Sequence, residues 1–206
     1  MDSPIEVNIA ATKAFGNFHE ANRKRLPPTT PVQSPPQAKW SKPPPGYFKV
    51  NCDTSFLQHN ASGGLGYIIR DSLGRVIAAV SQPSQFTSPL QGEALAPRTV
   101  LLEAISETLD RVHVESDNRD LILYLENPGK APPSTLSPIL EDIRFIASQF
   151  ETCLFFHISR DINSVANYLA QKASSLACRT SWSISTAWLR DLCNSDASAF
   201  AASINF

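Results

Sequence analysis

The chain has 206 residues, 42% of them hydrophobic, and a formal net charge of −1. It is long enough to bury one good core, and it has no overall basic field to draw it to a polyanion, no run of about eighteen apolar residues and no signal-peptide pattern. The expectation is an intracellular protein, nuclear or cytoplasmic, neither secreted nor membrane-bound, in which any nucleic-acid contact is local.

Four cysteines, Cys52, Cys153, Cys178 and Cys193, show neither Cys-x-x-Cys spacing nor clustering with histidine, so they read as buried free thiols. In chain order, residues 1–25 carry Ser3 as a cap, Pro4 at the first helical position and Glu6 completing a capping box. Ile5, Ile9, Ala11, Phe15 and Phe18 then predict a short amphipathic helix with a basic end at Arg23-Lys24-Arg25. Residues 26–46 are proline-rich and read as an extended spacer. A globular domain over 47–178 and a tail over 179–206 complete the division, the tail holding a short helix whose Trp188, Leu189 and Leu192 pack on the domain.

Within the domain, "YFKVNCDTSF" alternates, with Phe48, Val50 and Cys52 on one face and Lys49, Asn51 and Asp53 on the other, which predicts a strand. "GGLGYIIRD" and "RVIAAVS" follow as strands joined by a tight turn at Asp71–Gly74. Asn60-Ala61-Ser62 matches a glycosylation sequon, which means little without a secretory signal. Ser88 and Pro89 open a helix with Leu90, Ala94, Leu101, Ala104, Ile105 and Leu109 along its apolar stripe. "RVHVES" is a strand, "NRDLILYLE" and "SPILEDIRFIASQF" are helices, "TCLFFHIS" is a strand and "SVANYLAQKASSLA" a closing helix. Strands separated by helices pair in parallel, so the order β-β-β-α-β-α-α-β-α predicts a mixed five-stranded α/β sheet covered by helices.

That order places three acids: Asp53 in mid-strand, Glu93 in the first turns of the first long helix, and Asp117 directly after the fourth strand in "VESDN". Two-metal phosphodiester chemistry needs hard oxygen ligands, and carboxylates from different elements supply both geometry and charge. Glu93 has a second reading, as an acid that favours a helix start through the dipole.

The pieces "WSKPPPGYFKVNCDTSF", "GGLGYIIRDSLGRVI", "EALA", "VESDN" and "HISRDINSVANYLA", in this order and spacing, resemble the ribonuclease H type 1 domain, specifically the plant reverse-transcriptase-like group of retroelement-derived reading frames. The resemblance runs from Lys39 to roughly Ala177, and the flanking "SPIEVNIAATKAF" and "WLRDLCNSD" extend it over nearly the whole chain. It implies the ribonuclease H-like fold with strand order 3-2-1-4-5. It also implies two Mg2+ or Mn2+ ions, an RNA–DNA hybrid or other nucleic acid as partner, and a catalytic set at Asp53, Glu93, Asp117 and position 167. The chain is read as a monomer, with protein partners unspecified.

Three features depart from the pattern. Position 167 is Asn, which removes one unit of negative charge, and one charge pair at roughly 4 Å is worth on the order of 4 kcal/mol at an effective dielectric of about 20. Pro97 sits inside the helix that carries Glu93, where a kink or late start re-aims the acid. The loop before the closing helix is only "SRDIN", and the connection "ENPGKAPPST" adds a single cation, Lys130. Around that loop, His157 is read as packing at a strand end, Asp161 as a solvated turn residue and Asn163 as the helix cap. Gly64, Arg160 and Asn163 are the candidate nucleic-acid contacts. Three functions stand open: a metal-dependent RNA–DNA hybrid endoribonuclease with Asn167 as a weak fourth ligand, a nucleic-acid-binding domain without turnover, and an interaction module derived from a retroelement.

Overall fold

A computed structural model describes residues 39–57 and 62–197, the side chain of Ala197 excepted. The helix expected over 1–25, all but the end of the proline-rich spacer and residues 60 and 61 of the sequon lie outside the described residues. The chain divides into two units, 1–36 and 37–206, and everything that follows concerns the second.

Its strands are β1 (Phe48–Leu57), β2 (Ser62–Arg70), β3 (Val76–Gln85), β4 (Arg111–Ser116), β5 (Thr152–His157) and β6 (Thr180–Ser181). Its helices are α1 (Pro89–Ser106), α2 (Arg119–Glu126), α3 (Ser137–Ala147), α4 (Ser164–Ala173) and α5 (Ala187–Ala197). The sheet order is β5-β4-β1-β2-β3-β6, with β1, β4 and β5 parallel and the β1-β2-β3 meander antiparallel. This is the expected order with one correction: the sheet has six strands. β6 is two residues long and pairs antiparallel with β3 at Val80↔Ser181 and Ser81↔Thr180. So short a strand has no periodicity to read; it is made by tertiary contact, with the Trp182 amide donating to Ala79 O at 2.8 Å.

The β2–β3 turn forms where Asp71 and Gly74 suggest it. The Asp71 carboxylate accepts from the Leu73 and Arg75 amides, at 2.9 and 2.8 Å, and the Arg75 side chain closes on it at 2.7 Å. Ser88 caps α1 by accepting from the Gln91 amide at 3.2 Å, with Pro89 in the first turn. One face of the sheet meets α1, α2 and α3 through Val50, Cys52 and Tyr67 against Val100, Leu101, Leu121 and Leu140. Ile105, expected on the buried stripe of α1, is instead 40% exposed. All four cysteines are free, but Cys178 is exposed and only Cys52 is fully buried.

The other face is polar and covered. Lys49, Asn51 and Asp53, which alternate along it, are all buried. Two layers cover them. α4 lies on β2, where a Cβ on Gly66 would stand 2.0 Å from Ala170 N and 2.4 Å from Ala166 O, and one on Gly64 would stand 2.2 Å from the Ala173 Cβ. Helix and strand backbones therefore touch, as only glycine permits. α5 packs beside α4 through fully buried Leu189, while Lys172 on α4 lies over the rings of Tyr168, Trp182 and Trp188.

Between these layers and β1 runs a polar network in which Arg70 Nε is left without a hydrogen-bond partner. Lys49 pairs with Glu115 at 2.8 Å, Asn51 donates to Glu115 at 2.8 Å, and Arg70 donates to Asn51 at 3.0 Å and to Asp196 at 2.9 Å. Trp40 donates its indole N–H to Asn51 at 3.0 Å and lies under the Arg70 guanidinium, 3.4 Å from ring centroid to Cζ. Every charge here is paired, which is the condition for burying it. No helix among the described residues is long and apolar enough to cross a membrane.

Candidate metal centre

β4 pairs with β1 only as far as Asn51↔Glu115, so the end of β1 runs on past the end of β4. Asp53 stands on that free portion, Asp117 follows the last residue of β4, and α1 brings Glu93 in from the opposite layer. One ligand atom from each of the three carboxylates lies within 4.8 Å of the others, among the described residues. Pro97 does not displace Glu93. α1 runs unbroken through the proline, and the Thr54 hydroxyl on β1 donates to Glu93 Oε1 at 2.8 Å.

The cluster is electrostatically strained. Burial first, and the Asp53 charge second, push the Glu93 carboxyl up to about 8; burial first, and Asp117 second, raise Asp53 to about 6. The charge of the exposed Arg160 opposes both shifts. Glu93 Oε2 is buried and has no hydrogen-bond partner. Hard oxygen donors with an orphaned, buried carboxylate oxygen among them form a donor set that fits a divalent cation such as Mg2+ or Mn2+.

Asn167 reaches the cluster from α4, but as a donor: its Nδ2 donates to Asp53 Oδ2 at 2.7 Å, and its Oδ1 is turned away to accept from Gln171. Asn163 occupies the cap position of α4 without capping it. Its side chain is drawn into the domain instead, where Nδ2 donates to Cys52 O at 2.9 Å and to Asp117 Oδ1 at 3.4 Å. Being 1% exposed, it offers nothing to a nucleic acid. Gly64 is likewise buried under α4, so of the three expected contact residues only Arg160 is at the surface. His157 is exposed at the end of β5 rather than packed, while His113 stacks between Tyr47 and Phe156, with ring centroids at 4.8 and 5.1 Å. Thr54 and the donor role of Asn163 have no sequence signal beyond their proximity to Asp53 and the closing helix.

The profile of the reverse transcriptase-like family matches residues 51–173. The chain belongs to the reverse transcriptase-like family. The matched span contains all three acids and Asn167. Solved structures agree on the fold of this family member. The N-terminal RNase H domain of a Mycobacterium tuberculosis protein superposes with a TM-score of 0.58 at 18% identity, covering 62% of this chain and 98% of that one. RNase H1 of the archaeon Halobacterium salinarum gives 0.54 at 17%, covering 62% and 95%. LC11-RNase H1, isolated from compost and solved in complex with an RNA/DNA hybrid, gives 0.53 at 20%, covering 63% and 96%. No curated protein sequence matches. The ribonuclease H-like fold is established by these likenesses, with β6 and α5 beyond the five-strand plan.

The raised carboxyls have a consequence for stability. In the unfolded chain these groups titrate near ordinary carboxylate values, so the folded, metal-free protein holds its protons more tightly. Their stabilising contribution is complete below about pH 4 and is lost as pH rises towards 8. Glu93→Gln removes the largest part of this effect. In EDTA the variant is expected to melt above the native protein by several degrees at about pH 8.5 and level with it at about pH 4.5, at roughly 2–4 °C per kcal/mol. Thermal melts of both proteins at the two pH values test this, and equal melting points at the higher pH would contradict it.

Proposed function

We propose that this domain binds a nucleic acid at the Asp53–Glu93–Asp117 cluster and cleaves the RNA strand of an RNA–DNA hybrid with the help of Mg2+ or Mn2+. The observation that carries this reading is the convergence of three carboxylates from three separate elements within 4.8 Å, with a buried Glu93 oxygen left unpaired. Bound there, a divalent cation supplies an activated water and a Lewis acid for the phosphoryl oxygens. The protein's part is positional. Thr54 fixes the Glu93 carboxylate, Asn167 fixes Asp53, and α1 and β4 hold the acids at the end of β1. Arg160, exposed and near enough for its charge to be felt at Asp53, is the side chain we assign to a backbone phosphate.

One observation favours a second reading, a domain that binds nucleic acid without turnover. Asn167 brings an amide N–H to Asp53 rather than a fourth negative charge. Cleavage of a labelled RNA–DNA hybrid in Mg2+ and in Mn2+, with Asn167→Asp beside the native chain, decides between the two. Cleavage by the native chain is expected on the first reading. Activity restored only in Asn167→Asp, with salt-dependent hybrid binding by both, supports the second; no salt-dependent binding by either would sink both.

A further inference from the structure

Each of the three carboxylates has one oxygen engaged by a neutral side chain. Asn167 Nδ2 donates to Asp53 Oδ2 at 2.7 Å, Thr54 Oγ1 to Glu93 Oε1 at 2.8 Å, and Asn163 Nδ2 to Asp117 Oδ1 at 3.4 Å. The donors are themselves fixed. Gln171 donates to Asn167 Oδ1, so the Asn167 amide is oriented with its N–H towards Asp53, and Asn163 is anchored to Cys52 O at 2.9 Å. The side-chain contacts leave Asp53 Oδ1, Glu93 Oε2 and Asp117 Oδ2, one oxygen from each acid, and Glu93 Oε2 is buried without a partner.

Three single oxygens match one coordination sphere. Around one Mg2+, with metal–oxygen distances near 2.1 Å, adjacent ligand oxygens stand about 3 Å apart and opposite ones about 4.2 Å. A span of 4.8 Å across one ligand atom from each carboxylate closes to that with a small movement. A second ion about 4 Å away needs a second oxygen from at least one of the same acids, or a fourth carboxylate. Asn167 is no carboxylate and takes the second oxygen of Asp53 with a partial positive charge, while Thr54 and Asn163 take the second oxygens of Glu93 and Asp117.

We propose that Thr54, Asn163 and Asn167 make this a single-cation centre, which takes one hard divalent cation through Asp53, Glu93 and Asp117 and excludes a second. Thr54, Asn163 and Asn167 are positioning residues. The inference rests on the reading of the cluster as a metal site, and it deepens that reading by setting the number of ions.

Counting bound Mn2+ on the full chain tests it, by the loss of the free-ion paramagnetic resonance signal on titration. Circular dichroism melts of each variant confirm that it is folded. One Mn2+ per native chain and two per Asn167→Asp chain are expected. Thr54→Val is expected to keep the count of one and weaken its affinity about 10- to 100-fold, as loss of a group that orients a metal ligand does. Two ions on the native chain, one on Asn167→Asp, or unchanged affinity in Thr54→Val would each overturn the proposal while leaving a metal site in place. No bound Mn2+ on any of the three would overturn the metal reading itself.

Discussion

Asp53→Asn is expected to abolish divalent-cation binding, and with it any cleavage of an RNA–DNA hybrid. Asp53 is the most deeply buried of the three acids, at 2% exposure, and it stands between Asn167 on one side and the cluster on the other. Removing its charge forfeits an attraction at roughly 4 Å worth about 4 kcal/mol for each unit of the cation's charge at an effective dielectric of about 20, which is at least on the order of a thousandfold in affinity. The variant also relieves the repulsion that raises Glu93, so its metal-free form is expected to be more stable than the native protein near pH 8. Opposite movements of affinity and melting temperature distinguish loss of a functional group from loss of fold. Calorimetric titration of Mg2+ into native and variant chains, with a thermal melt of each in EDTA, provides the measurement; retained affinity would remove Asp53 from the site.

The second large effect concerns stability alone. Asp196→Ala leaves the Arg70 guanidinium at 1% exposure without its counter-ion, and breaking one partner of a buried pair costs about 3–5 kcal/mol. Burial already depresses the Arg70 pKa and raises that of Asp196, so each group depends on the other to remain charged. Unfolding in urea should show this loss in full. Replacing both partners together, Arg70→Met with Asp196→Leu, should recover most of it, because apolar side chains need no partner. A loss below about 1 kcal/mol for Asp196→Ala would mean that water reaches Arg70 once the carboxylate is gone.

How much of this was legible in the sequence depends on the range of the interactions. The strands, the Asp71–Gly74 turn and the Ser88–Pro89 helix start are local, each set by residues within a few positions of one another, and all can be read. The three acids could be placed because each sits at a recognisable point of an element. The ends of side-chain contacts could not. Asn163 has the composition of a helix cap, yet its side chain prefers the carbonyl of Cys52, 111 positions away. Asn167 was legible as a missing carboxylate, but its action as a donor needs Gln171 to set its orientation. The alternation of Lys49, Asn51 and Asp53 shows that they share a face, but not which partners meet them there; Arg70 finds Asp196 across 126 positions. Pro97 was a fair warning of a broken helix, but the tertiary hold of Thr54 on Glu93 keeps the acid where it is needed.

The Arg70 guanidinium touches Trp40, ahead of β1, and Asp196, in α5. A shortened fragment trimmed to the strands and helices of the bare ribonuclease H plan, from 47 to 178, would strip away both and leave the cation without its counter-ion, though still bonded to Asn51. The practical boundary for recombinant work therefore lies outside Trp40 and Asp196, and affinity tags or fusion partners belong beyond them.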